Sequence, residues 1–98
     1  MPRVIKSRES QDDYLEIWLY VARDKAEAAD ALVAHFDQQL DLLASAPLIG
    51  KLEEDLATEI RSFPIGKYIV YFRIIEGGVE LVRILHSARD ITSDFFTE

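Results

Sequence analysis

RSFPIGKYIVYFRIIEGGVELVRILHSARD, residues Arg61 to Asp90, is the stretch from which the fold is read. Two β-rich runs, Tyr68 to Ile75 and Val79 to Leu85, flank Glu76-Gly77-Gly78, and a third, Thr58 to Phe63, precedes them across the breaker Pro64-Ile65-Gly66-Lys67. The pattern is an antiparallel meander. Tyr68, Val70, Phe72 and Ile74 point to one face and Ile69, Tyr71 and Ile75 to the other, with Arg73 among them. A sheet that is apolar on both faces needs cover on both, from its own helices or from a partner.

Working outward from this stretch, the first half of the chain reads as helical. Pro2 to Lys6 is a short apolar run suited to an edge strand, where a leading proline is tolerated. Ser7 or Ser10 offers an N-cap, the latter with Asp13 in capping-box spacing. Tyr14, Ile17, Trp18 and Val21 recur at i, i+3, i+4 and i+7, which predicts an amphipathic helix through about Arg23. Asp24, with Glu27 as capping partner, opens a second helix whose stripe is Ala28, Ala29, Leu32, Phe36, Leu40 and Leu43, and Pro47 ends it. With only Arg23 and Asp24 between the two patterns, the helices fold back as an antiparallel αα-hairpin. Leu48 to Ala57 is a solvated connection carrying Glu53-Glu54-Asp55, and Ser87 or Asp90 caps a short terminal helix whose Phe95 and Phe96 cover one sheet face.

The expected fold is therefore α+β: an N-terminal edge strand, a helical hairpin packed on one face of a small, mainly antiparallel four-stranded sheet, and a short C-terminal helix, all in one domain spanning residues 1–98. A type I′ turn at Gly77-Gly78 would pair Ile74 with Leu81, Phe72 with Arg83 and Val70 with Leu85. The face away from the hairpin would then carry Ile69, Tyr71, Arg73 and Ile75 beside Glu80, Val82, Ile84 and His86, a mixed apolar and cationic surface left bare for another polypeptide.

Composition bounds function. At 98 residues and 49% hydrophobic, the chain is large enough for one core. It has no cysteine, which removes disulfides and thiolate chemistry and fits a reducing, cytoplasmic setting. No apolar run approaches membrane-spanning length, and Met1-Pro2-Arg3-Val4-Ile5 does not open a signal peptide. Eighteen acidic against eleven basic residues give a net charge of -7, which opposes nucleic-acid binding. The cations Arg61, Lys67, Arg73, Arg83 and Arg89 nonetheless gather in the sheet half with His86. His35 and His86 have no metal-ligand spacing and no phosphate-binding loop is present, so neither metal nor cofactor is expected.

Arg61-Ser62-Phe63-Pro64, Tyr68-Ile69-Val70-Tyr71, Gly78-Val79-Glu80 and Val82 to Asp90, with Glu16-Ile17-Trp18, Tyr20, Asp24, Ala28-Ala29 and Pro47 upstream, resemble the ParE branch of the ParE/RelE toxin superfamily. The resemblance covers nearly the whole chain. It implies the toxin of a bacterial type II toxin-antitoxin pair, neutralised by a small ParD-like antitoxin that wraps it in a hetero-oligomer. ParE-like members are linked to inhibition of DNA gyrase, and RelE-like members to cleavage of messenger RNA on the ribosome. Ribonuclease members carry an Arg and a His-Tyr or Tyr at positions that look like Tyr68, Ser87 and Ala88 here, so the resemblance favours a binding toxin over a nuclease. A rearranged nuclease site would fall to Arg61, Arg83, His86 and Arg89.

On this reading Arg61, Tyr68, Arg83, His86 and Arg89 contact the target, and Trp18, Ile69, Tyr71, Arg73, Val82 and Ile84 contact the antitoxin. Each has a plainer reading. His86 is a hydrogen-bonded residue at a strand end, and Arg83 pairs with Asp90 or Glu59. Arg73 and Glu80 form a weak cross-strand or diagonal ion pair, and Trp18 is a core or helix-face residue.

Overall fold

The computed structural model describes residues 2–97. Strand β1 (Arg3–Lys6) leads into helix α1 (Arg8–Ala22) and helix α2 (Ala26–Ser45). A 3₁₀ turn (Pro47–Ile49) and the two-residue strand β2 (Lys51–Leu52) follow, then β3 (Arg61–Ile65), β4 (Tyr68–Ile75), β5 (Gly78–His86) and a terminal 3₁₀ turn (Ser93–Phe96). The sheet has five strands in the order β1-β5-β4-β3-β2, all antiparallel except the β1–β5 pair. The expected α+β architecture holds, with β2 as an additional edge strand.

The third run of the meander begins later than its composition suggested. Thr58 to Ile60 lies in a loop and β3 takes in Pro64, so the breaker shrinks to Gly66-Lys67. Pro64 sits opposite Ile69. Its missing N–H is tolerated because the ring nitrogen faces the side of β3 that β2, paired only to Arg61 and Ser62, does not reach.

α1 is capped by Ser7, whose Oγ accepts a hydrogen bond from Ser10 N at 3.0 Å. Ser10 is therefore not the cap, and Asp13 is not its capping-box partner; both are buried against the sheet. α2 starts at Ala26 behind Lys25, with no side-chain cap from Asp24. The amides of Asp24 and Lys25 are spent on Val21 O, so the end of α1 uses the residues that a cap for α2 would need.

The β4–β5 hairpin turns at Glu76-Gly77, one residue earlier than expected, and pairs Ile75 with Gly78, Ile74 with Val79 and Phe72 with Leu81. Of the two turn residues only Gly77 has a positive φ, +80°. Gly78 is needed elsewhere: a Cβ there would lie 1.8 Å from Arg3 O, so its lack of a side chain lets β1 approach.

A β-bulge then places two residues, Val82 and Arg83, opposite Tyr71, and the pairing resumes as Val70 with Ile84, Ile69 with Leu85 and Tyr68 with His86. The extra residue inverts the parity of the rest of β5. Ile84 joins the helix-side core of Phe36, Leu40, Leu43, Val70, Phe72, Val79 and Leu81, and His86 moves to Tyr68. Leu85 goes to the opposite face with Tyr71 and Ile60. The expectation that Ile84 and His86 face away from the helices is thus reversed.

That opposite face is not bare. Leu56, Ala57, Ile91, Phe95 and Phe96 close over Ile60, Tyr71 and Leu85, leaving Tyr71 only 3% exposed beneath the Phe96 ring at 5.0 Å between centroids. Phe95 and Phe96 cover a sheet face as expected. They do so from a single 3₁₀ turn capped by Thr92, not from a helix capped by Ser87 or Asp90.

Candidate functional site

The candidate site follows from how α1 meets the outer edge of β5. Beyond Leu81 the partner strand β1 has ended, and α1 supplies the missing partners. Ser7 N donates to Leu81 O at 2.9 Å and Ser7 Oγ to Val82 O at 2.7 Å. The Asp13 carboxylate accepts from Ile84 N at 3.1 Å. Asp13 also takes two bonds from the Arg83 guanidinium, 2.7 Å from Nε and 2.8 Å from Nη2, while Arg83 Nη1 donates to Phe95 O at 3.1 Å. The bonds to Asp13 raise Arg83 above the usual arginine range, outweighing the opposing effect of burial. Arg83, expected to pair with Asp90 or Glu59 or to touch a target, is thus consumed in joining α1, β5 and the terminal turn.

Past this junction α1 and β5 diverge, and a cleft of about 270 Å³ opens between them. Asp13, Glu16, Ile17 and Tyr20 line it from α1; Tyr68, Ile84, Leu85, His86 and Arg89 line it from the sheet and the following loop. Tyr68 is wedged edge-on between His86, 5.2 Å between centroids, and Phe36, 5.4 Å. Burial pushes its phenol above the ordinary tyrosine range, with proximity to Tyr20 a smaller contribution in the same direction. His86 Nδ1 accepts from Ala88 N at 3.0 Å, so in the neutral ring the proton sits on Nε2. Arg89 lies over the Phe95 ring at 4.7 Å, and its backbone N donates to His86 O at 3.1 Å. The cleft therefore offers aromatic and aliphatic walls, two phenols, an imidazole N–H, one guanidinium and the Glu16 carboxylate.

Of the five residues expected to touch a target, Tyr68, His86 and Arg89 converge here. Arg83 sits behind the cleft, locked to Asp13. Arg61 is at the far end of the sheet, where its Nη1 donates to Gly50 O at 2.8 Å beside Leu52 and Ile74. The six residues expected to meet an antitoxin fall in three places. Trp18 Nε1 donates to Asp30 at 2.8 Å between the two helices. Ile69, Tyr71, Arg73 and Val82 are on the covered sheet face, Tyr71 buried there and Arg73 donating to Thr58 O at 3.1 Å in place of an ion pair with Glu80. Ile84, at 1% exposure, lies inside the helix-side core and offers a partner no side-chain surface. Glu16, Ile17, Tyr20 and Asp13 were not singled out as site residues. Their spacing of three, one and three places them on one helical face, which is the signal that would have grouped them.

No cluster of three or more His, Asp or Glu side chains suited to a metal occurs among the described residues, and no described helix is long and apolar enough to cross a membrane.

Comparison with known proteins bears on the family and the fold. The model of the family described as ParE toxin of type II toxin-antitoxin system, parDE, matches residues 4–91. The chain is 25% identical over 91 residues to Toxin ParE1 of Mycobacterium tuberculosis, in strains CDC 1551 and H37Rv, covering 91% of this chain and 93% of the relative. Among solved structures, a chain of the chromosomal ParDE TA system from P. aeruginosa superposes with a TM-score of 0.71 at 19% identity, over 88% of this chain and 96% of that one. At that identity the superposition bears on the fold alone.

Proposed function

The chain belongs to the ParE toxin family of type II toxin-antitoxin systems, and from that premise we propose that it acts by binding a protein target, DNA gyrase, and is neutralised by direct binding of a ParD-like antitoxin. The observation that carries the binding reading is the fate of the four groups a rearranged nuclease would need. Arg83 is spent on Asp13 and Phe95 O, and Arg61 is tied to Gly50 at the other end of the sheet. Only His86 and Arg89 reach the cleft, in a chain of net charge -7. Stabilising a phosphorane needs a cation fixed at the reacting phosphate with an acid and a base placed around it. An apolar-walled cleft with a polar rim suits recognition of a protein segment instead. The negative surface also favours an antitoxin segment that contributes cations beside its apolar side chains.

The test is induced expression in bacteria with and without the antitoxin, with plasmid supercoiling and transcript ends followed together. Growth arrest with altered supercoiling and intact transcripts is the expected result. Transcripts cut at codon positions while supercoiling stays normal would overturn it in favour of a ribosome-dependent nuclease. Absence of any growth effect would mark a chain that binds its antitoxin without toxicity.

A further inference from the structure

Strand β1 forms one side of the sheet, and it bonds to β5 through alternate residues. Arg3 N donates to Gly77 O and Ser7 N to Leu81 O, so Arg3 and Ile5 turn their backbone groups toward β5 and Val4 and Lys6 turn theirs away. In a trans peptide the N–H and the preceding C=O point opposite ways, which sends Pro2 C=O outward as well. On this outer edge Lys6 O is already engaged, accepting from Gln11 Nε2 at 3.1 Å, and Pro2 has no N–H to offer. Pro2 C=O, Val4 N–H, Val4 C=O and Lys6 N–H are left, none with a protein partner among the described residues.

An antiparallel neighbour on this edge must therefore place a residue without an N–H opposite Lys6, and opposite Pro2 a residue whose carbonyl is already satisfied. The chain itself meets both conditions. When Val4 of two copies stand opposite each other across a two-fold axis, they exchange N–H and C=O bonds in both directions, and Lys6 of each copy falls opposite Pro2 of the other, its N–H on the proline carbonyl. We propose that the chain self-associates through this edge, β1 pairing antiparallel with β1 of a second copy so that the two sheets become continuous. In that register Arg3 of one copy lies opposite Ile5 of the other, a side chain left 40% exposed in the single chain. Glu80 stands beside Ile5 on β5 and has no ion-pair partner among the described residues. The arginine stem covers the isoleucine while its guanidinium faces the carboxylate, so the contact is complementary in charge as well as in main-chain bonds. Lys6 brings no bare cation to the seam, because Asp37 holds its Nζ at 3.0 Å. On the helix side an open groove of about 480 Å³, lined by Val4, Lys6, Gln11 and Tyr14, leaves room for the second copy. The proposal stands apart from the choice of target and from the cleft beside α1.

An interface centred on so short a strand is small for a permanent dimer, so the association is reversible and set by concentration. The test uses the full chain alone, followed by sedimentation equilibrium and amide hydrogen exchange from dilute to concentrated solution. Exchange of the Val4 and Lys6 amides should slow at least about tenfold as the dimer forms, while the Arg3 and Ile5 amides, bonded to β5, stay protected throughout. Val4→Pro removes only an outward N–H, at a sheet edge where proline is tolerated, and should abolish the dimer with β1 still paired to β5. If β1 is lost in that variant, the exchange pattern of the unaltered chain decides alone. A chain that stays monomeric at every concentration, or a dimer whose Val4 and Lys6 amides exchange as in the monomer, overturns the proposal. So does a well-folded Val4→Pro chain that still dimerises. Protection of these amides that appears only when an antitoxin is added assigns the edge to that partner and overturns self-pairing.

Discussion

Asp13 and Arg83 meet through two parallel hydrogen bonds across 70 residues of chain, and the same carboxylate holds the amide of Ile84. A forked pair at this level of burial fixes the angle of α1 to β5, and with it the mouth of the cleft. Removing one partner leaves the other charge without compensation. Asp13→Ala should therefore cost about 3–5 kcal/mol in urea unfolding, and Arg83→Met a comparable amount. The double variant Asp13→Leu with Arg83→Met should recover part of that loss. A double variant as unstable as the sum of the singles would show that no charge is being compensated across the junction.

Gly78 stands where β1 crosses closest to β5. Gly78→Ala should displace β1, because the obstacle is the Arg3 carbonyl and not the flexible end of a side chain. The expected cost is at least about 2 kcal/mol, with loss of amide protection in Arg3–Lys6. Gly77→Ala strains only the turn and should cost about 1 kcal/mol with β1 still paired.

Phe96 and Phe95 seal the second sheet face. Phe96→Ala should destabilise the fold by about 1–3 kcal/mol, less than a fully buried ring because the side chain is only half-buried. Dye binding to exposed apolar surface should rise and the Tyr71 amide should exchange faster. Phe95→Ala should in addition loosen Arg89, which loses the ring it lies over.

Three phenols hold their protons above the ordinary tyrosine value. Tyr14 is raised by burial, by the nearby Asp37 carboxylate and by donating its hydroxyl to that group at 3.0 Å; Tyr68 and Tyr71 are raised chiefly by burial. In the unfolded chain they ionise near the ordinary tyrosine value of about 10. The folded state binds more protons there, so their contribution to stability is complete below that pH and is lost as pH rises past it. Urea midpoints should fall from about pH 9 to about pH 11. Phenolate absorbance of the native protein should lag behind that of the unfolded chain. Tyr14→Phe should shrink both effects.

At the cleft itself, Arg89→Ala and Tyr20→Ala should reduce growth inhibition at least tenfold without shifting the unfolding midpoint, since both side chains are exposed. Arg61→Ala, at the far end of the sheet, should leave growth inhibition within about twofold. These thresholds correspond to about 1.4 kcal/mol of lost binding against a near-neutral change. Equal loss from Arg61→Ala would relocate the target surface.

The helical hairpin, the meander and the covering role of Phe95 and Phe96 were legible because each rests on short-range periodicity or on ring placement near a strand. The bulge was not. Val82 and Arg83 read as ordinary strand residues, and nothing local marks that both stand opposite Tyr71. One inserted residue sent Ile84 and His86 to the helix side and Leu85 away from it, which undid the expected partner face while leaving the element order intact. The partner of Arg83 was equally hidden. Asp13 sits in capping-box spacing from Ser10, a local pattern that competes with its actual long-range role. The turn was misplaced because two adjacent glycines serve different needs, Gly77 the turn and Gly78 the passage of β1. The cleft was half legible: its strand residues stood out by type, its helix residues only by spacing.

β1 is paired along β5 and nowhere else in the sheet, so it has no seat until β5 has emerged from the ribosome. Contacts of such sequence separation are closed late and slowly. A growing chain can assemble its helical hairpin early, yet the Ser7 and Asp13 contacts that shape the cleft wait for Leu81 to Ile84. A copy whose translation is cut short before that point lacks the cleft beside α1 altogether.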